Sequence, residues 1–278
     1  ESSVYRENAS TAYFTGTVLL SQTPEKSVYT NKDVTVSLSY PEVPAGYELQ
    51  YKDTAGNWVT GNNIVVSNNR TTIIGRLYNA TLDDEVAVNS ITITNIDKMP
   101  PAAPTDIEIV MAVTSNEVIS NLPSNWSTSK VTKAVRERGN ITAKAIGGAD
   151  TGSGVAGYLY STNGIDWTST IATVNSQTYT NLTEENIIYA KTVDIAGNIS
   201  EEYQVDTYFR IAPIPSGYVN SSVSSESQIA DGLVIYEGTG SVTTSTQSSA
   251  MTTRNQYVWI PVDDINSMVM CKTHGAGT

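Results

Sequence analysis

Val34-Thr35-Val36-Ser37-Leu38-Ser39-Tyr40 alternates aliphatic and hydroxyl side chains for seven residues. Successive side chains of a strand point to opposite faces, so this stretch buries one face and wets the other. The same period of two recurs at Ile73 to Tyr78, Ile107 to Met111, Ile141 to Ile146, Ile187 to Val193, Tyr203 to Phe209, Leu233 to Tyr236 and Tyr257 to Val262. Sustained helical periodicity is missing. Only roughly Thr128 to Arg138 suggests a turn or two of helix, and its apolar face is weak. Turn residues separate the runs: Ala55-Gly56-Asn57, Asn163-Gly164 and Ala196-Gly197-Asn198. Many short alternating runs between such turns predict an all-β protein built of sandwiches.

The 278 residues contain 28 acids and 16 bases, a net charge of −12. That balance argues against nucleic acid as a partner, because phosphates are neutralised by Lys and Arg. Sixteen Tyr against two Phe suit thin cores, where a ring is buried and its hydroxyl reaches water. One Cys excludes an intrachain disulfide. One Cys and one His also remove most zinc and nucleophile–base chemistries. No stretch approaches the ~20 apolar residues that cross a bilayer as a helix. A few-charged, β-rich chain of this kind reads as extracellular, and a first residue of Glu1 reads as a processed or trimmed product.

Two Pro-rich joints, Met99 to Pro104 and Ile211 to Pro215, divide the chain. Proline fixes φ, so both are expected to act as semi-rigid spacers. The resulting parts are 1–98, 99–213 and 214–278. The first two look like copies. Gly46-Tyr47-Glu48-Leu49-Gln50-Tyr51 leads through a turn to Trp58, as Gly157-Tyr158-Leu159-Tyr160-Ser161 leads to Trp167. The two Trp lie 109 residues apart, the length of an immunoglobulin-size sandwich. Both are expected to pack in cores or hairpins.

Asp150-Thr151-Gly152-Ser153-Gly154-Val155, then Tyr160-Ser161, Trp167 and Asp194-Ile195-Ala196-Gly197-Asn198, resembles bacterial immunoglobulin-like repeats of extracellular surface and pilin-like proteins. The likeness runs over 99–213. It is looser over 20–98, where the D-x-G-S-G-V turn is absent and Asp53 to Asn57 precedes the Trp. The third part, through Ile214 to Val219, Asp231 to Ile235 and Asn255 to Val262, resembles the opening of a domain similar to C-type lectins and formylglycine-generating enzymes in Gram-positive surface proteins. The enzyme's Cys pair is not present, so no activity carries over. The stretch from Gly238 to Thr253 reads as a mobile Ser/Thr-rich loop.

Cys271 and His274 have the C-x-x-H spacing of half a zinc site, which would need completion from elsewhere. The acid pairs Asp83-Asp84, Glu184-Glu185, Glu201-Glu202 and Asp263-Asp264 read as solvated turns, since adjacent strand residues do not converge. Loop oxygens of Asp150, Asp194 or Asp53 are the residues weighed for calcium. The glycines of the D-x-G-S-G-V turn are followed by strands, not by the helix N-terminus a phosphate loop needs.

The expectation is tandem immunoglobulin-like sandwiches plus a small β-rich, incomplete C-terminal part in an elongated chain. Its function is expected to be non-catalytic: a structural or adhesive component of a bacterial cell surface, of Gram-positive type, and a candidate subunit of a pilus-like filament. The alternatives are a glycan-binding module or an accessory region of a larger surface enzyme. No residue is assigned as catalytic, cofactor-binding or metal-binding. The expected partners are copies of itself, other surface proteins, or host and environmental glycans.

Overall fold

A computed structural model describes residues 16–122, 130–168, 175–183, 185–259 and 271–272. Eighteen strands and one seven-residue helix are found among the described residues. The chain is all-β, as expected from the alternation. It divides into two compact units: 1–103 with 147–157 and 191–201, and 104–146 with 158–190 and 202–278.

The first unit holds seven strands in two sheets. Strands β1 (Leu19–Thr23), β2 (Val34–Ser39) and β5 (Asn63–Val66) form one, in the order β1-β2-β5. Strands β3 (Glu48–Lys52), β4 (Trp58–Thr60), β6 (Thr72–Asn79) and β7 (Asp84–Thr92) form the other, in the order β4-β3-β6-β7. Val34, Val36 and Leu38 of β2 are buried, while Ser37 turns outward to donate to Asn63 Oδ1 at 2.7 Å. They pack with Val18, Val66, Ile73, Leu77, Ile93 and Ile96. Gly75 brings the sheets close, since a Cβ there would sit 2.8 Å from Leu38 Cδ2.

Trp58 faces away from that core. Its indole lies 3.7 Å from the Arg76 guanidinium, which also stacks on Tyr78 and donates to Gln50 Oε1. The hairpin-packing expectation therefore takes the form of a cation–π stack, in which the planar guanidinium covers the ring. Trp167 closes its own turn, its indole N–H donating to the Gly164 carbonyl at 3.2 Å.

In the second unit β8 (Pro104–Ile119), β9 (Val131–Gly147) and β11 (Ser176–Leu182) share a sheet, β9 pairing with both of the others. Strands β10 (Val155–Ser161), β12 (Glu185–Asp194) and β13 (Ile199–Tyr208), whose residues 155–157, 191–194 and 199–201 belong to the first unit, form a second sheet in the order β10-β12-β13. Ile107, Ile141, Ala143, Ala145, Tyr158, Tyr160, Ile188, Ala190 and Phe209 fill the core. Tyr160 is fully buried with its hydroxyl satisfied: it accepts from Ala145 N–H at 2.9 Å and donates to the Asn175 carbonyl.

Three local expectations are corrected. The helix suggested for Thr128 to Arg138 is, from Val131 on, the first half of β9. Pairing along the strand overrides a weak helical preference. The second Pro-rich joint is not a spacer: Ile211–Pro215 forms β14, antiparallel to β9, with Pro213 opposite Ala134. Proline is tolerated there because β14 is an edge. The Ser/Thr-rich loop contains a helix, α1 (Gln247–Thr253), held by burial of Ala250.

Strands β15 (Tyr218–Asn220), β16 (Leu233–Glu237), β17 (Gln256–Trp259) and β18 (Cys271–Lys272) complete the unit, in that order within their sheet. Ile229, Leu233 and Ile235 share a core with Val135 of β9 and Ala212 and Ile214 of β14. Burial, then the Glu226 carboxylate that accepts its hydroxyl, pushes the Tyr236 phenol up to about 12. Burial does the same to Tyr179. A phenol raised from 10 to about 12 favours the folded state below pH 10, and that stabilisation is lost as pH climbs toward 12. Alkaline titration followed by tyrosinate absorbance is expected to show a late-ionising set of Tyr whose appearance coincides with loss of β-sheet circular dichroism. Ionisation of all Tyr near pH 10 with the sheet intact would contradict this.

Candidate functional site

Two turns of the first unit converge on the segment around Asp97. Asp194-Ile195-Ala196-Gly197-Asn198 links β12 to β13, with Asp194 N–H on the Asn198 carbonyl at 3.1 Å and Asn198 N–H on Asp194 Oδ1 at 2.7 Å. Gly197 supplies the positive φ of 93° that the turn requires. Asp53 to Asn57, between β3 and β4, repeats the geometry: Asn57 N–H lies 2.7 Å from Asp53 Oδ1, and Gly56 has φ of 89°. The same five-letter pattern thus encodes the same hairpin turn twice.

The turn from β9 to β10 is built on Asp150. Its Oδ2 accepts the Gly152 and Gly154 N–H groups at 3.2 and 2.6 Å. This turn is tied to the first by Ile195 N–H on the Gly154 carbonyl at 2.9 Å and by Ala196 N–H on Ser153 Oγ at 3.1 Å. Asp97, in the segment leading to the first Pro-rich joint, meets both. Its Oδ2 accepts Ser153 N–H at 2.7 Å, its Oδ1 accepts Met99 N–H at 3.1 Å, and its carbonyl accepts Asn198 Nδ2–H at 2.9 Å.

Carboxylate oxygens of Asp97, Asp150 and Asp194 consequently lie within 4.8 Å of one another, with Asp97 and Asp194 buried. Asp150 and Asp194, weighed from sequence for calcium, are brought together. Asp53 is not part of the group and holds its own turn. Asp97 was missed. Its signal was a lone acid before Met99-Pro100-Pro101, which reads as linker until its partners from the other two turns are in place.

Chemically the group is an all-oxygen set of the kind hard divalent cations take. Each carboxylate also accepts hydrogen bonds that fix a turn, a role it performs without a ligand. Like charges this close repel, and the repulsion is stronger out of water. The folded state is therefore expected to gain from calcium: thermal unfolding should occur at higher temperature in calcium than in chelator. Asp97→Asn, which removes one charge, should narrow that gap. Identical melting in calcium and chelator would show that hydrogen bonding alone offsets the repulsion.

The remaining acids lie apart. Asp83 accepts from Tyr78 OH at 2.8 Å and Asp84 from Tyr47 OH. Glu201 and Glu202 are successive residues of β13, and Glu185 opens β12. Glu184, Asp263, Asp264 and His274 lie outside the described residues, and Cys271 is placed only as a backbone partner of Val258. No helix among the described residues is long and apolar enough to cross a membrane.

No family model matches the chain, and no curated protein matches it. Among solved structures it is similar to the fibronectin(III)-like modules of Clostridium thermocellum CbhA. The identity is 11% over 68% of this chain and 93% of that one, with a TM-score of 0.31. A cytokine receptor complex is matched at 10% identity over 69% and 95%, TM-score 0.25. A two-domain fibronectin type III segment of chicken tenascin is matched at 10% identity over 69% and 98%, TM-score 0.23. Likenesses so distant add nothing to the architecture, which stands on the strands and their order.

Proposed function

We propose that the chain is a non-catalytic structural or adhesive component of a bacterial cell surface, with Gram-positive-type bacteria as its setting. In this reading it works mechanically: hydrogen-bonded sandwiches carry load, and contacts between copies or with other surface proteins organise them into a filament. The single observation that carries it is the junction around Asp97. Three acids that would be the first candidates for chemistry are committed to backbone N–H groups of three turns. A group used to lock backbone is suited to holding structure. The resemblance of the D-x-G-S-G-V and D-x-A-G-N elements to surface-protein repeats points the same way.

Antibody raised against the chain is expected to label intact cells of the source organism, and a glycan array is expected to stay dark. Absence of surface labelling would overturn the setting. A strong glycan signal would replace the structural role by the glycan-binding alternative, and a catalytic domain encoded in the same gene would favour the accessory-region one.

A further inference from the structure

Strand β8 runs for 16 residues, and its one strand partner among the described residues is β9. No described strand pairs its other edge, which among the described residues presents a row of backbone N–H and C=O groups. Natural sheets guard such edges with short strands, charges, proline or bulges. Several other edges of this chain are guarded in these ways: β4 and β15 have three residues, β13 carries Glu201, Glu202 and Asp206, and β11 is bulged near Asn181. The middle of β8 has none of these. Ile109-Val110-Met111-Ala112-Val113-Thr114-Ser115 lacks charge and proline, the composition that favours strand-to-strand association. Residues 110–115 are exposed without alternation, Val110 at 58% and Val113 at 42%, so neither face is covered there.

We infer that the free edge of β8 pairs antiparallel with β8 of a second copy, about a two-fold axis at Ala112. This deepens the proposed function by naming the contact between copies, and it rests on that reading's self-association. Charge selects the occupant and the direction. Antiparallel pairing centred on the uncharged window sets Asp106 opposite Val118, Ile107 opposite Glu117 and Glu108 opposite Asn116, so no acid faces an acid. Parallel pairing would stack each acid on its copy, which destabilises a ladder. The acids flanking the window are also neutralised within the chain. Glu117 is held by Arg136 and Arg138, and Glu108 lies 3.5 Å from Lys144. The arginine hydrogen bonds keep the Glu117 carboxyl below its usual range. Two chains of net charge −12 can thus meet here at a locally neutral strand.

The register is specific. The Ala112 carbonyl is turned toward Gly139 of β9. Across the free edge Ala112 therefore occupies a non-hydrogen-bonded pair, whose Cα atoms lie about 4.5 Å apart, within disulfide reach. In the full chain carrying Cys271→Ser, Ala112→Cys is expected to give a covalent dimer on mild oxidation. Val110→Cys alone should not, but should crosslink when mixed with Thr114→Cys. Sedimentation of the chain without introduced cysteines should show a reversible dimer. Val113→Lys should weaken it about tenfold, and Val118→Lys, facing Asp106, should tighten it. Failure of Ala112→Cys to crosslink above Val110→Cys, or a monomer at every concentration, overturns this inference. It would leave the surface role standing if intact cells are labelled. Crosslinking at Ala112 without surface labelling would instead keep this contact and reject the surface role.

Discussion

Asp97→Ala is expected to destabilise the first unit by about 3 kcal/mol. The carboxylate is buried, and truncation leaves the Ser153 and Met99 N–H groups without acceptors. Each orphaned donor costs roughly 1–3 kcal/mol, more than the hydrogen bond itself contributed. Relief of repulsion with Asp150 and Asp194 offsets part of this, so the sum falls short of two full penalties. Asp97→Asn keeps one acceptor at the same place and is expected to cost about a third as much. Chemical denaturation measures the difference, and amide exchange locates it: Ser153 should lose protection in Asp97→Ala and keep most of it in Asp97→Asn. A loss below about 1 kcal/mol, with Ser153 still protected, would mean that the two motif turns hold each other without Asp97. Gly152 supports the same placement. A Cβ there would sit 2.2 Å from Asp97 Oδ2, so the glycine is what lets the carboxylate reach its donors.

The strands were legible because burial is periodic. Val34, Val36 and Leu38 announce their face in the sequence itself, and a half-buried strand has no other way to be stable. The D-x-A-G-N turns were legible for a similar reason: Asp, Gly and Asn each meet a local backbone requirement. The Asp97 group was not. Its members lie 53 and 44 residues apart, and nothing local to Asp97 differs from an ordinary linker acid. By proline's local preference the β14 segment reads as a spacer, whereas its edge position beside β9 makes it a strand. Likewise Val131 to Arg138 has little pattern of its own. It becomes strand because β8 and β14 supply partners. Sequence reasoning failed wherever the determinant was a distant partner.

Gly139→Ala tests the other unit at the point where three of its elements crowd together. A Cβ at this position would lie 2.3 Å from the Ala112 carbonyl oxygen of β8, and 2.6 and 2.8 Å from Cε1 and Cζ of Phe209. A side chain can move aside, but a backbone carbonyl in a paired strand cannot retreat without opening the β8–β9 ladder. Phe209 is itself buried in the second core, so its ring has nowhere to go. Overpacking of this kind costs about 3 kcal/mol, at the upper end for small-to-large changes in a tight core. Gly56→Ala is the comparison: a Cβ there meets nothing within 4 Å, and the cost is only the strain of φ at 89°, about 1 kcal/mol. Phe209→Leu added to Gly139→Ala separates the two clashes. Removing the ring should recover only part of the loss, because the carbonyl contact remains. Full recovery would assign the whole cost to the ring and show that β8 yields at Ala112. A yielding Ala112 would also spoil the fixed register on which crosslinking between copies depends, so the two measurements constrain each other.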